Sequence, residues 1–118
     1  MLTIEKLRTY GANVDEGLER CMNNEAFYLR LVNMALQDSA FGDLGAALAE
    51  KEYKAAFEHA HKLKGILANL ALTPILEPVA ELTELLRHQT EGDCDGLYAR
   101  ITEEYEKLKA LADDSDSV

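Results

Sequence analysis

The sequence predicts an all-α protein: an antiparallel four-helix bundle with one or two short N-terminal helices packed on it. Apolar residues recur at three- and four-residue intervals through successive segments, the spacing of one face of an α-helix. β-Branched residues never alternate with polar ones over four or more positions, so no segment reads as a strand. Glycine, proline and helix-capping residues fall between the periodic segments and divide them.

Thr3 caps a first short helix that Gly11 ends. Asn13 starts a second, with Asp15 and Glu16 in the first turn, where the helix dipole favours acids, and with Val14, Leu18 and Cys21 or Met22 as a narrow apolar edge. Asn24 caps a third, in which Phe27, Leu31, Met34 and Ala35 are expected to form the buried stripe with Tyr28, Val32 and Leu36 beside it. The run Ser39-Ala40-Phe41-Gly42 breaks the pattern, and a helix resumes at Asp43 and continues to about Lys51. A long helix follows from near Glu52 to near Ala71. Thr73 caps the next one, with Pro74 at its first position. Inside that helix Pro78 removes a backbone donor, so a kink or a loosened first turn is expected, while Leu76, Val79, Leu82, Leu85 and Leu86 supply the apolar face. Thr90-Glu91-Gly92-Asp93 is a further break, and the last helix, from about Cys94 to Leu111, carries Leu97, Ile101, Tyr105, Leu108 and Leu111 as its stripe. The length is that of one domain, read as a bundle over residues 1–112 with an acidic tail over 113–118 that is expected to be disordered.

Composition narrows the function. Acidic residues outnumber basic ones 22 to 12, and the net charge of −10 repels nucleic acid and anionic membranes alike, so neither is expected as a partner. No apolar segment approaches the roughly 18 residues a membrane span needs. The opening LTIEKLRTYG has neither a basic leader nor an apolar run, and Cys21 and Cys94 do not make a disulfide framework. These features lead us to expect a cytoplasmic protein, and a monomer. Neither a P-loop nor a kinase-type glycine-rich loop is present, so no ATP-dependent kinase activity is expected.

One stretch, Phe57 to Leu72, stands apart. At about 100° per residue, Leu63, Ile66, Leu67 and Leu70 gather on one side of the helix, and His61 lies opposite them among Lys54, Phe57, Glu58, Lys64, Gly65 and Ala68. His59 borders the buried side, so the two histidines cannot share a small ligand, and no zinc-type spacing occurs elsewhere; no metal is expected. A glycine in mid-helix costs about 1 kcal/mol relative to alanine. Gly65 lies one turn from His61 on the same face, and together with Ala68 it leaves room for another protein to approach the imidazole. Lys64 places an ammonium beside the ring, Phe57 adds an apolar contact, and Lys54, Lys62 and Lys64 make this the least acidic part of the middle of the chain.

The run His61-Lys62-Leu63-Lys64-Gly65, flanked by Ala60, resembles the motif of histidine-containing phosphotransfer (HPt) domains of two-component phosphorelays: histidine, any residue, an aliphatic, lysine, glycine. The chain departs from that pattern further on. Leu67 stands where a small residue is usual, Asn69 where serine is frequent and Ala71 where a second glycine is usual, positions that touch helix packing and the turn. The GLER element at 17–20 also recurs in such domains, as a lid over one end of the bundle.

The resemblance implies that His61 is a phosphoacceptor whose Nε2 attacks the phospho-aspartate of a receiver domain, and that Lys64 neutralises the transferred charge. It implies receiver domains of response regulators or of a hybrid histidine kinase as partners, docking over Phe57, Glu58, Lys62, Gly65 and Ala68. No cofactor is implied for this chain, since Mg2+ would belong to the receiver. It also implies a polar residue that orients the imidazole. With the hairpin turn near residue 72, the partner of His61 falls near residue 83, which makes Thr83 and, one turn on, Arg87 the candidates; alternatively Glu84, Arg87 and His88 form a charged outer face. Such a protein is a stoichiometric phosphocarrier. The competing expectation is a non-catalytic helical adaptor, or a degenerate HPt domain, binding a partner through the Phe57, Gly65 and Ala68 face.

Overall fold

A tight reversal at Leu70–Leu72 joins the two helices around which the others pack, α5 (Tyr53–Asn69) and α6 (Thr73–Arg87). Ala71 turns the chain there with φ +56. The structure, a computed structural model, describes residues 1–89 and 92–113. Among these lie five further helices: α1 (Ile4–Tyr10), α2 (Val14–Arg20), α3 (Glu25–Leu36), α4 (Ala40–Ala49) and α7 (Cys94–Asp113), with no strand. Helix α4 packs on α5, α5 on α6 and α6 on α7, and α7 closes the bundle against α3 and α4. The pairings run antiparallel. Across α5 and α6, Lys64 meets Glu84 and Phe57 meets Arg87, and across the closing wall Tyr105 reaches Leu36 while Tyr98 reaches Phe41. Helices α3 and α4 thus follow each other along one wall, opposite the single long α7.

The caps explain the boundaries. The Thr3 and Asn13 side chains accept from the Lys6 and Glu16 amides, Asn24 accepts from the Phe27 amide, and Gly11 at φ +108 ends α1 in a conformation that suits glycine. Helix α4 starts earlier than its sequence suggests. The Asp38 carboxylate accepts from the Ala40 amide at 2.8 Å, which lets the helix begin ahead of Gly42. Gly45 serves packing, because a Cβ there would collide with the Tyr98 hydroxyl. Thr73 is the first residue of α6, with Leu72 at the cap, and the helix runs unbroken through the buried Pro78. Thr90 and Glu91 of the expected break, and residues 114–118 of the expected tail, lie outside the described residues.

Helix α3 is rotated from its expected face. Tyr28, Val32, Ala35 and Leu36 are buried, whereas Phe27 and Met34 remain 40% and 58% exposed. Nine of the twelve positions of EAFYLRLVNMAL are apolar, so periodicity does not choose between adjacent faces. Tyr28 makes the choice: its hydroxyl donates to the Leu70 carbonyl at 2.8 Å, at the α5–α6 turn. Burial pushes the Tyr28 phenol up to about 12 from its ordinary 10, with Cys21 adding in the same direction. A phenol whose pKa rises on folding contributes stability below its unfolded pKa and loses it as pH climbs through the folded one. Two units correspond to about 3 kcal/mol. Urea melts between pH 10 and 12 should therefore fall less steeply for Tyr28→Phe than for the wild type. Tyr10, also raised by burial and then by Glu104, titrates in both proteins and cancels from the comparison. Equal slopes would discount the Tyr28 phenol.

The lid-like α2 seats itself through two residues. A Cβ at Gly17 would lie 2.5 Å from the Tyr28 ring and 2.9 Å from the Leu70 carbonyl oxygen, so the helix approaches at glycine distance. Arg20 then donates to the Ala68 and Asn69 carbonyls at the end of α5. Both contacts cover carbonyls at the C-terminal turn of α5, where a helix runs out of intrahelical donors.

Candidate functional site

Helix α5 buries Ala56, Ala60, Leu63 and Leu67, a line rotated slightly from the leucine-rich stripe, so that Ile66 is only half-buried. His61 stands exposed outside that line, and His59 is half-buried at its edge. Glu58, Lys62 and Gly65 are exposed, while Phe57, Lys64 and Ala68 are half-buried. A Cβ built at Gly65 meets nothing within 4 Å. The space beside Gly65 is therefore open, and no neighbour among the described residues requires a glycine there.

The two lysines that flank His61, Lys62 and Lys64, are both paired. Lys62 reaches across to Asp38, at the junction of α3 and α4, with 3.3 Å between charged atoms. Lys64 pairs with Glu84 of α6 at 3.5 Å. Glu84 also holds Arg87 at 3.3 Å and His88 at 3.3 Å. Partial burial raises the Glu84 carboxyl pKa, but Arg87, Lys64 and His88 outweigh it, and the net position is below the usual glutamate value. Glu84 is therefore the hub that α6 offers to this face. Sequence reading placed it only in a charged outer face, although its spacing of three and four residues to Arg87 and His88 marked it as their partner.

Thr83 faces elsewhere. It is fully buried with Val79, Leu82 and Leu86, and its hydroxyl donates to the Val79 carbonyl at 2.7 Å. The hairpin register brings residue 83 to the level of His61, but the rotation of α6 turns it into the core. Arg87 does reach the site, through Phe57: its guanidinium carbon lies 5.0 Å from the Phe57 ring centroid. Phe57 in turn stacks on His61, with ring centroids 5.6 Å apart and planes 15° from parallel. Among the described residues, no side chain hydrogen-bonds to the His61 ring nitrogens, and no three His, Cys, Asp or Glu side chains converge in a way that could hold a metal ion.

An exposed imidazole is thus flanked by Phe57 four residues before it, by Lys64 three residues after and by the open space at Gly65. A family model described as Hpt domain matches residues 31–111, well over half of the chain. The chain belongs to the Hpt domain family. The matched span of this Hpt domain runs from within α3 to within α7 and contains the whole α5–α6 hairpin. Its role is phosphotransfer in two-component signalling, where Hpt domains interact with receiver domains. No curated protein and no solved structure matched the chain significantly. Among the described residues, no helix is long and apolar enough to cross a membrane.

Proposed function

We propose that His61 is the phosphoacceptor, taking a phosphoryl group from the phospho-aspartate of one receiver domain and passing it to another. The donor and acceptor would be receivers of response regulators or of a hybrid histidine kinase. The observation that carries this reading is the exposed imidazole on the opposite side of α5 from its leucines, beside a glycine whose outer space is empty. A receiver holds its aspartyl phosphate in a pocket, and a convex helix face lets that pocket come to the histidine.

In the transfer, the Nε2 lone pair forms the new N–P bond in line with the leaving aspartyl oxygen, which departs with its electron pair as a free carboxylate. The ring keeps its Nδ1 proton, and the phosphoryl group keeps its two negative charges. Lys64 exchanges Glu84 for the incoming phosphoryl oxygens, a long and partly solvated pair being cheap to break at about 1 kcal/mol or less. Mg2+ belongs to the receiver. The chain itself is a stoichiometric carrier, working as a cytoplasmic monomer without kinase activity. Glu58, Lys62 and Ala68 frame the docking surface.

The test is incubation with a phosphorylated receiver and Mg2+. The protein should acquire phosphate that is acid-labile and alkali-stable, the signature of a phosphoramidate, and should give it up to a second, unphosphorylated receiver. Absence of label across a panel of receivers would leave the adaptor reading.

A further inference from the structure

We propose that Phe57 is the positioning residue of the phosphoacceptor, holding the His61 imidazole by stacking in place of a hydrogen bond. This rests on the reading of His61 given above. An exposed histidine ordinarily samples several side-chain rotamers, and a nucleophile must occupy the right one when its partner arrives. Among the described residues, no polar side chain fixes this ring. The hydroxyl at the matching level of α6, Thr83, is buried and committed to the Val79 carbonyl, and no other described side chain hydrogen-bonds to the imidazole nitrogens. Among the described residues, the ring contact that the imidazole makes is the near-parallel Phe57 stack.

Phe57 is suited to that work because it is itself anchored. It packs half-buried against the core, and α6 places Arg87 against its ring. Arg87 is in turn tied to Glu84, which also holds Lys64. A chain of contacts thus runs from Phe57 through Arg87 and Glu84 to Lys64, so that one helix fixes both flanks of His61. Stacking occupies a face of the imidazole. The lone pair of the attacking nitrogen lies in the ring plane, so the contact orients the ring without engaging that lone pair.

Phe57→Leu, Phe57→Tyr and wild type separate positioning from docking. In the wild type, the His61 ring protons should be displaced by the Phe57 ring current, as read by NMR. Phe57→Leu should abolish that displacement and lower the maximal single-turnover transfer rate from a phosphorylated receiver by about tenfold, with the half-saturating receiver concentration little changed. Phe57→Tyr, which keeps the stack, should restore both, and thermal melts should show all three proteins folded. The proposal is overturned if Phe57→Leu retains the wild-type ring shifts and rate, or if its loss lies wholly in half-saturation, since Phe57 would then serve docking alone. A wild type that takes no label removes the phosphoacceptor reading and this role with it. A labelled wild type beside an unaltered Phe57→Leu removes only the positioning role.

Discussion

Replacing His61 by glutamine is expected to abolish phosphate uptake from a receiver while leaving the fold as stable as the wild type, within about 1 kcal/mol. The two halves of that expectation have different sources. The side chain is exposed and makes no hydrogen bond among the described residues, so its removal takes away little beyond the stack on Phe57. Chemically, glutamine has a similar reach but offers only an amide nitrogen, whose lone pair is delocalised and does not attack phosphorus. Labelling with radioactive phosphate, followed by acid and alkali treatment, reads the first half, and urea unfolding reads the second. A His61→Gln protein that still takes phosphate would move the acceptor to another residue.

Enlarging Gly65 should drive stability and transfer in opposite directions. A Cβ at this position meets nothing among the described residues, and alanine is favoured over glycine in a helix interior by about 1 kcal/mol. Gly65→Ala should accordingly raise the melting temperature by about 4 °C. Gly65→Gln puts a longer side chain into the space one turn beyond His61, where the receiver pocket must close. A displacement of the partner by about 1 Å is enough to slow transfer on the order of a hundredfold. Melting curves and single-turnover transfer rates on the two variants check both. A Gly65→Gln protein that transfers at the wild-type rate would show that the open space is not where the partner sits.

Much of the fold follows from local rules that need no partner in space. Thr3, Asn13 and Asn24 cap where capping residues should, and Gly11 stops α1. The position of His61 opposite the leucines of α5 is likewise a matter of helical periodicity alone. The departures come where a distant contact decides. Both faces of α3 are apolar, and the Tyr28 hydroxyl meeting Leu70 selects between them. The run ending at Gly42 suggests a break, yet Asp38 accepts from the Ala40 amide ahead of it, and at Gly45 Tyr98 needs the missing Cβ. At the site, counting along the hairpin gave the level of Thr83 but not the rotation of α6, which buries the threonine and presents Glu84 in its stead. Ion pairs across helices, such as Lys62 with Asp38, depend on both level and rotation and are the least accessible to sequence reading.

The seating of α2 bears on how the molecule assembles. Arg20 and the carbonyl of Ala68 are 48 positions apart, the Tyr28 hydroxyl and the carbonyl of Leu70 are 42 apart, and both contacts converge on a single reversal of the chain. Closing loops of that size carries an entropic cost that neighbouring hairpins avoid. The α5–α6 pair can therefore form early from nearby residues, but its bend stays wet until the first quarter of the polypeptide folds back over it. The amino-terminal helices, most of which lie ahead of the matched family span, thus act as the clasp that completes the native state.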